Sequence, residues 1–243
     1  MNYISLSAVA VSLLAGSALA DTYNDAIGDL ASPSFDGLAH LDITSVEVTN
    51  DANYVYFSIN TAGDMDAVNW GKYIVGIDTG SNAGDNSTDP GSWNRNVDWG
   101  RGITDFIGSW ADDGGSGAGA ELRSFDGSGW GLTDATYLGG GDVLADDSEH
   151  SSGTQILAVS LAALGLSNGD TIEFDVFSSG GGADPGVDHL SRGDAATPDW
   201  GTTSIAGMFN SYTINIVPLP SAAFAGMLGL AGVMGVRVLK RRA

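Results

Sequence analysis

The chain has no cysteine and few basic residues, and both absences limit what it can be. Without cysteine it has no disulfide, no thiol nucleophile and no cysteine-liganded metal site. Nine residues are Lys or Arg, against 30 Asp or Glu. Four of the nine lie in the last seven residues, so segment 21–216 holds five basic and 30 acidic residues, a formal net charge of −25. This charge repels phosphate and predicts that nucleic acid is not a partner. Alternatively, it serves only to keep the protein soluble.

Sequence motifs of common enzymes are also missing. The chain contains no G-x-S-x-G, no HExxH and no serine–histidine signature, and no glycine-rich stretch ends in GK[ST]. A glycoside hydrolase needs only two carboxylates about 5–10 Å apart. With 30 acidic residues, some pair meets that distance by chance, so their abundance does not favour this activity. We therefore predict a protein that is not an enzyme, with a glycoside hydrolase as the less favoured alternative.

The first 20 residues read MNYISLSAVAVSLLAGSALA and predict a secretory signal peptide. An apolar run from Ile4 to Ala15 is too short for a membrane-spanning helix. It is followed by the small residues Ala18 and Ala20, in the spacing of a cleavage site, and then by polar residues. We expect cleavage after Ala20, which makes Asp21 the first residue of the mature protein. A buried N-terminal helix is the alternative.

The last 27 residues, 217–243, have the pattern of a membrane anchor. The stretch from Ser221 to Val236 is free of charge, slightly shorter than the roughly 20 residues that span a bilayer. Arg237 can extend its side chain to the interface, which lengthens the usable helix. A basic cluster follows and would stay in the cytoplasm, which places the preceding domain outside. This pattern predicts one C-terminal transmembrane helix.

The same tail resembles the PEP-CTERM sorting signal, which consists of a Val-Pro-x-Pro motif, a glycine-rich apolar helix and a terminal arginine cluster. The matching residues are Val217, Pro218, Leu219, Pro220, Arg237, Lys240, Arg241 and Arg242, with Leu219 in the position usually held by Glu. The resemblance implies processing by an exosortase-type enzyme. It also implies transient anchoring in the inner membrane of a Gram-negative-type bacterium, followed by delivery to the cell surface or extracellular matrix.

Segment 21–216 has the pattern of an all-β domain. Its many glycines suit tight turns, because glycine adopts positive φ without steric cost. LDITSVEVTN and YVYFSIN are separated by Asp51-Ala52-Asn53 and predict a hairpin. KYIVGIDTG, GITDFIGSWAD, AELRSFDG, QILAVSL, TIEFDVFSS and SYTINIV predict further strands, with one helical turn at Ala162–Leu166. We predict a single antiparallel β-sandwich of eight to ten strands.

The domain also resembles the DOMON-like sandwiches, which include the family 9 carbohydrate-binding modules. The similarity rests on D-x-x-x-D-x-x-G-D from Asp21 to Asp29, on LDITSVEVTNDANYVYFSI, on IDTG and on VSLAALGLSNGDTIEFDVFSS. The resemblance implies a jelly-roll or DOMON-like fold whose members bind sugars or haem, or have no known ligand. Haem requires axial His or Met. Since His40, His150 and His189 lie in loop-like or loop-flanking contexts, we do not expect haem.

Asp25, Asp29 and Asp42 are the candidate metal ligands. Carboxylate oxygens suit Ca²⁺, which takes six to eight oxygen ligands in loose geometry. Asp25 and Asp29 share one N-terminal loop, and Asp42 begins the first strong strand. The resemblance implies a structural calcium near the N-terminus at these residues. Alternatively, the three aspartates form turns and caps, as aspartate does in many proteins.

Trp93 and Trp99 are the candidate ligand-binding residues. They flank a long polar loop that includes Arg95. Exposed tryptophans stack on sugar rings, while neighbouring polar groups bind the hydroxyls. A sugar-binding protein would therefore expose both rings on one face, whereas a passive protein would bury them. From these observations we predict a non-catalytic surface or matrix module that binds an extracellular polysaccharide and is stabilised by calcium. The alternative is a passive structural surface protein without a small-molecule ligand.

Overall fold

The computed structural model describes residues 20–111 and 119–217. In these two ranges the chain forms strands, turns and three short 3-10 helices at Ala39–Leu41, Met65–Ala67 and His150–Ser152, and no α-helix. The prediction of an all-β fold is confirmed. The strands are β1 (Asp21–Asn24), β2 (Ile43–Asn50), β3 (Tyr54–Thr61), β4 (Lys72–Asp78), β5 (Val97–Asp98), β6 (Asp105–Trp110), β7 (Gly119–Phe125), β8 (Trp130–Ala135), β9 (Val143–Asp146), β10 (Thr154–Ser160), β11 (Thr171–Ser179), β12 (Gly186–His189), β13 (Ser204–Ile205) and β14 (Asn210–Thr213).

The strands form two large antiparallel sheets. The five-stranded sheet has the order β1-β2-β3-β10-β9. The seven-stranded sheet has the order β12-β11-β4-β6-β7-β8, and β14 pairs with the first half of β11 while β12 pairs with its last residues. β5 and β13 form a short parallel pair outside these sheets.

The predicted hairpin is present, and β6 to β8 form a meander. β2 and β3 pair through the turn at Asp51, whose Oδ1 accepts hydrogen bonds from the amides of Asn53 and Tyr54 at 2.7 and 2.8 Å. This is the turn chemistry for which aspartate is favoured. β6, β7 and β8 follow one another in antiparallel register. The predicted helical turn at Ala162–Leu166 takes the form of hydrogen-bonded turns instead, with the Gly165 amide donating to the Ala162 carbonyl at 3.1 Å.

One apolar core lies between the two sheets, in a sandwich-like arrangement. Because successive strand residues point to opposite faces, alternate apolar residues of each sheet reach this core. Phe57 and Val159 enter it from the five-stranded sheet, and Val75, Ile107 and Phe174 enter it from the seven-stranded sheet. All five side chains are fully buried.

The seven-stranded sheet is covered on its second face as well. Segment 79–104 packs Trp93, Trp99 and other apolar residues against this outer face, and Phe209 lies at the edge of the same cluster. Ile74, Phe106 and Phe177 are the buried strand residues beneath them. The outer residues of the five-stranded sheet are mostly half-buried or exposed, so the two sheets differ in how much of their outer face is accessible.

Most of the two predicted end segments lies outside the described residues. Of the signal peptide and its cleavage site, only Ala20 is described, and of the sorting motif only Val217 is. Both are exposed. Within residues 20–111 and 119–217, no helix has the length and apolar character needed to cross a membrane.

Candidate metal centre

Three carboxylates converge where the edges of the two sheets meet. Asp25 and Asp29 lie in the loop after β1, the edge strand of the five-stranded sheet, and Asp188 lies in β12, the edge strand of the other. One oxygen atom of each residue lies within 4.8 Å of the others. We call this group the acidic cluster. It joins the first strand of the domain to a strand more than 160 residues later.

The loop that carries two of these residues is held at both ends. At its start, the Asp25 amide donates to the carbonyl of Thr44 at 3.0 Å, and the Ala26 amide donates to Asp25 Oδ1 at 2.8 Å. Farther along, Leu30 and Phe35 pack with Val187, the neighbour of Asp188 in β12. These contacts fix the position of the loop relative to β12.

Asp42 lies beside the acidic cluster, but its carboxylate binds the backbone of the loop. Its Oδ1 and Oδ2 both accept a hydrogen bond from the Gly28 amide, at 3.1 and 2.9 Å. Gly28 has a φ of +80°, a conformation that a side chain would strain. Asp42 therefore closes the turn between Asp25 and Asp29, and Asp188 stands as the third member of the cluster. The structure brings all three predicted metal ligands into one region, with Asp42 bound to the backbone.

Asp188 is held rigidly, with 2% of its surface exposed. Its Oδ2 accepts a hydrogen bond from the Ile43 amide at 2.6 Å, and its Oδ1 accepts one from the His189 amide at 2.9 Å. Each oxygen retains a second lone pair. The carboxylate can therefore bind another donor or a cation without releasing the backbone.

The other two carboxylates have unused acceptor atoms. Oδ2 of Asp25 and both carboxylate oxygens of Asp29 are inaccessible to solvent and have no hydrogen-bond partner. A buried polar atom without a partner costs about 1–3 kcal/mol, and more if it is charged. Arg192 is the nearby cation, but its guanidinium donates to Asp194 and to the carbonyl of Ile205.

The crowding of carboxylates changes their protonation. Burial, together with the charges of Asp29, Asp175 and Asp42, raises the pKa of Asp25 to about 7. Burial and the charges of Asp25, Asp29 and Asp42 raise the pKa of Asp188 to about 9. Burial is also the main cause of the raised pKa of Asp29 and of Asp42. In the absence of a cation the cluster therefore holds protons at neutral pH.

This set of atoms fits a hard divalent cation. All the donors are oxygens, which suits Ca²⁺ or Mg²⁺ and does not favour the softer metals that prefer nitrogen or sulfur. The three carboxylates belong to two separate elements, and Asp25 and Asp29 have oxygens without hydrogen-bond partners, so a cation would remove the repulsion and supply the missing partners. Ca²⁺ fits better than Mg²⁺, because it tolerates irregular geometry and carbonyl or water oxygens as its remaining ligands.

The prediction that Trp93 and Trp99 form an exposed sugar-binding surface is wrong. Trp93 is 6% exposed and Trp99 is 1% exposed. The two rings lie against glycines of the sheet: a Cβ atom on Gly108 would lie 2.6 Å from the Trp93 ring, and one on Gly76 would lie 2.6 Å from the Trp99 ring. The strands lack side chains at these two positions, so the indole rings fill the space and become core residues.

Polar contacts hold the same loop in place. Trp93 Nε1 donates to Glu121 Oε2 at 2.8 Å, and Glu121 also accepts from the Arg123 guanidinium at 2.7 and 3.1 Å. Arg95 lies 5.3 Å from the centre of the Trp93 ring and donates to the carbonyl of Gly182. These contacts attach the polar loop to the sheet and to a later loop, and leave neither ring face of the predicted pair open to a ligand.

A serine, a histidine and an aspartate also meet in the structure, although no sequence motif joins them. His189 Nδ1 lies 2.7 Å from Asp175 Oδ2, and His189 Nε2 lies 3.2 Å from Ser204 Oγ. This order of groups is the one that activates a serine nucleophile. All three residues are fully buried, and Ser204 Oγ also accepts from the Gly186 amide at 2.9 Å. A substrate cannot reach Ser204 here, so the contact connects β11, β12 and β13.

The sequence did not predict Asp188 as a member of this site. The segment PGVDHLSRGD contains few apolar residues and has the turn-forming pair Pro-Gly at its start, and we did not predict a strand there. His189 is the last residue of β12 and flanks the loop that follows. The sequence indicates a buried position for Asp188 only weakly, because this acidic residue stands between the apolar residues Val187 and Leu190. Both of these are buried in the structure.

Comparisons with known proteins add no assignment to this site. No family model matches the chain, and no curated protein or solved structure matches it either.

Proposed function

We propose that this chain is an exported, non-catalytic module of the cell surface or extracellular matrix, stabilised by calcium and able to bind carbohydrate. Its domain, residues 21–216, is proposed to be a single β-sandwich of the jelly-roll or DOMON-like type. The acidic cluster of Asp25, Asp29 and Asp188 is the observation that carries the calcium part. The export and sorting parts depend on the sequence patterns of residues 1–20 and 217–243.

The cation would cross-link the two sheets by binding carboxylates from both. The loop after β1 brings two carboxylates and β12 brings the third, so one cation holds both edges together. A chain without cysteine has no disulfide to do this. Ligand binding to the native state alone adds about 2.7 kcal/mol at a hundredfold excess over Kd. Stability gained in this way suits a protein that functions outside the cell, where free calcium is abundant.

Calcium binding can be measured directly. The full chain, purified in detergent and freed of metal with EDTA, is titrated with CaCl₂ in a calorimeter at pH 8. We expect one calcium per chain, with weaker or no binding of Mg²⁺ under the same conditions. A flat titration with both cations would contradict the calcium part of the proposal. In that case the aspartates are only turn-forming residues and buried acids that hold protons.

The carbohydrate part is supported by a different surface from the one that the sequence predicted. The buried pair Trp93 and Trp99 no longer supports it. Support comes instead from the accessible outer face of the five-stranded sheet, where Tyr54 and Tyr56 lie among hydroxyl and amide side chains. Retention of the protein in native gels that contain polysaccharides tests this part.

A passive structural protein is the second candidate, and the burial of both tryptophans favours it. Under the hypothesis of a passive structural protein, the domain has no small-molecule ligand, and the exosortase-type enzyme that processes the tail is its only specific partner. The two candidate functions predict different results in one measurement: a carbohydrate-binding module is retained by at least one glycan, and a passive structural protein by none. A glycoside hydrolase is a weaker candidate, because Asp25 Oδ2, both oxygens of Asp29 and the side chain of Asp188 are buried at the edge of the sheets.

A further inference from the structure

The outer face of the five-stranded sheet has a composition unlike that of the rest of the domain. We call it the tyrosine face. It consists of alternate residues of four strands, whose neighbours in sequence point into the core. Its members are Ser45, Glu47 and Thr49 of β2, Tyr54, Tyr56, Ser58 and Asn60 of β3, Thr154, Ile156 and Ala158 of β10, and Leu144 and Asp146 of β9.

Two tyrosines form the centre of this face. The rings of Tyr54 and Tyr56 have their centres 6.1 Å apart and are tilted by 49°. The Tyr54 hydroxyl donates to the carbonyl of Gly141 at 2.7 Å, and the Tyr56 hydroxyl donates to Asp51 Oδ2 at 2.9 Å. Because both hydroxyls are tied to the protein, the rings are held in place before any ligand arrives. Binding then costs less side-chain entropy.

Grooves lie on both sides of the tyrosine pair. On one side, Tyr56, Leu144 and Ile156 surround a groove of about 520 Å³ whose floor is Ala158. Leu144 is 41% exposed. On the other side, Tyr54 lines a groove of about 590 Å³ with polar residues such as Asn53, Asp142 and Asn168. Both volumes fall in the range of ligand sites, which is about 300–1,000 Å³.

A row of hydrogen-bonding groups crosses the sheet on the same face as the aromatic centre. Thr154 Oγ1 donates to Asn60 Oδ1 at 2.7 Å, and Asn60 Nδ2 lies 3.2 Å from Ser45 Oγ. Tyr56 and Asn60 lie four positions apart on β3, which is about 13 Å of extended strand. The four strands of the face span about 14 Å across. This area exceeds a single sugar ring and suits a stretch of chain.

The charges of the face restrict the ligand. Glu47 and Asp146 are its charged residues, and no described basic residue belongs to it. The Lys and Arg residues of segment 21–216 belong to the seven-stranded sheet or to the segments that cover it, namely Lys72, Arg95, Arg101, Arg123 and Arg192. An anionic polymer would therefore be repelled, while an uncharged one would not.

We infer that the tyrosine face binds a chain of uncharged polysaccharide, with sugar rings stacked on Tyr54 and Tyr56 and hydroxyls bound by the row at Asn60. A sugar ring has an apolar face and a rim of hydroxyls, and the tyrosine face offers aromatic rings next to hydroxyl and amide groups. The inference rests on the carbohydrate part of the proposed function and gives that part a site.

The test is affinity electrophoresis of the full chain in a non-ionic detergent without a sugar headgroup. Native gels contain dextran, galactomannan or barley β-glucan, and a gel with alginate serves as the anionic comparison. We expect at least one uncharged polymer to retard the wild type, and alginate not to. Tyr54→Ala and Tyr56→Ala should each weaken binding about tenfold or more, while Tyr56→Phe keeps most of it.

The control is Tyr137→Ala, the same change at a tyrosine that is 61% exposed and follows β8 of the other sheet. It should bind like the wild type, and melting curves confirm that every variant is folded. Retention of the wild type with no loss in Tyr54→Ala and Tyr56→Ala overturns the site but leaves carbohydrate binding in place. No retention of the wild type overturns both. Self-association in sedimentation experiments that disappears in Tyr56→Ala would make the face an interface between copies, and overturns the inference as well.

Discussion

The Oδ2 atom of Asp188 accepts a hydrogen bond of 2.6 Å from the backbone amide of Ile43, which lies 145 positions earlier in the chain. This bond joins β12 of one sheet to the start of β2 in the other. Asp188 also belongs to the acidic cluster with Asp25 and Asp29, in which Asp25 Oδ2 and both oxygens of Asp29 lack hydrogen-bond partners. The side chain of Asp188 therefore takes part both in a hydrogen bond between the sheets and in the candidate cation site. For this reason a bound metal would affect the stability of the whole domain.

Asp29→Asn should remove the effect of calcium without harming the metal-free protein. Neither carboxylate oxygen of Asp29 accepts a hydrogen bond, so the substitution breaks none and removes one charge from the cluster. In EDTA the variant should melt at or above the wild-type temperature. In excess calcium the wild type should gain about 5–10 °C and the variant much less.

Glu47→Gln is the matched control for this experiment, because it removes one exposed charge from β2 away from the cluster. It should keep the full calcium response. An equal gain in wild type, Asp29→Asn and Glu47→Gln would exclude Asp29 as a ligand.

The metal-free protein should lose stability as the pH rises from 6.5 to 9. Asp25 and Asp188 have folded-state pKa values of about 7 and about 9, above the 3.8 that is usual for an aspartate. The native state therefore holds protons that the unfolded chain has lost, and the free energy of unfolding falls with rising pH. Burial lowers the pKa of His40, which acts in the opposite direction only below about pH 6.5.

Urea unfolding at pH 6.5, 7.5 and 9, in EDTA and in calcium, measures this dependence. Calcium binds the ionised carboxylates, so its presence should flatten the decline. A free energy of unfolding that rises with pH in EDTA would show that the cluster is not protonated in the native state.

Gly108→Ala should destabilise the domain by about 1–3 kcal/mol, the usual cost of overpacking a core. The added Cβ would lie 2.6 Å from the ring of the buried Trp93. The control is Gly181→Ala, where the added atom would meet nothing within 4 Å. Chemical unfolding followed by tryptophan fluorescence gives both values. Equal stability of Gly108→Ala and wild type would mean that the Trp93 loop moves away from the sheet easily.

His189→Ala should cost about 3–5 kcal/mol, because it leaves Oδ2 of the fully buried Asp175 without its hydrogen-bond partner, while Oδ1 keeps the amides of Val176 and Ser191. The measurement is the urea midpoint at constant slope. A smaller loss, below about 1 kcal/mol, would mean that water enters and replaces the imidazole.

Ser204 should not react with a fluorophosphonate probe in the native protein, because it is fully buried in β13 and its hydroxyl accepts a hydrogen bond from Gly186 of β12. Ser204→Ala serves as the blank in this assay. Labelling of the wild type that disappears in Ser204→Ala would reveal an accessible nucleophile and would favour an enzyme.

The mature protein should begin at Asp21. β1 starts at this residue, so cleavage after Ala20 leaves every described strand intact. N-terminal sequencing and intact-mass measurement of the exported protein give the result. A chain that still begins at Met1 would exclude the signal peptide.

The sequence by itself determined the class of the fold and the position of its main strands. The alternation in LDITSVEVTN and YVYFSIN, with an aspartate turn between them, specifies a hairpin through interactions that are local in the chain. The same holds for β4 and for the meander from β6 to β8. Short strands such as β5, β12 and β13 escaped prediction, since their pairing depends on distant segments and not on their own residues.

Only the tertiary structure decided which side chains meet. Asp25 and Asp29 are close in sequence and could be grouped from it, but Asp188 joins them solely because β12 lies opposite the loop after β1. Trp93 and Trp99 lie in a polar loop, and their burial depends on Gly76 and Gly108 in the neighbouring strands β4 and β6, against which the loop folds. Such contacts are set by how sheets and loops pack, because a residue's exposure depends on what lies across from it and not on its neighbours in the chain.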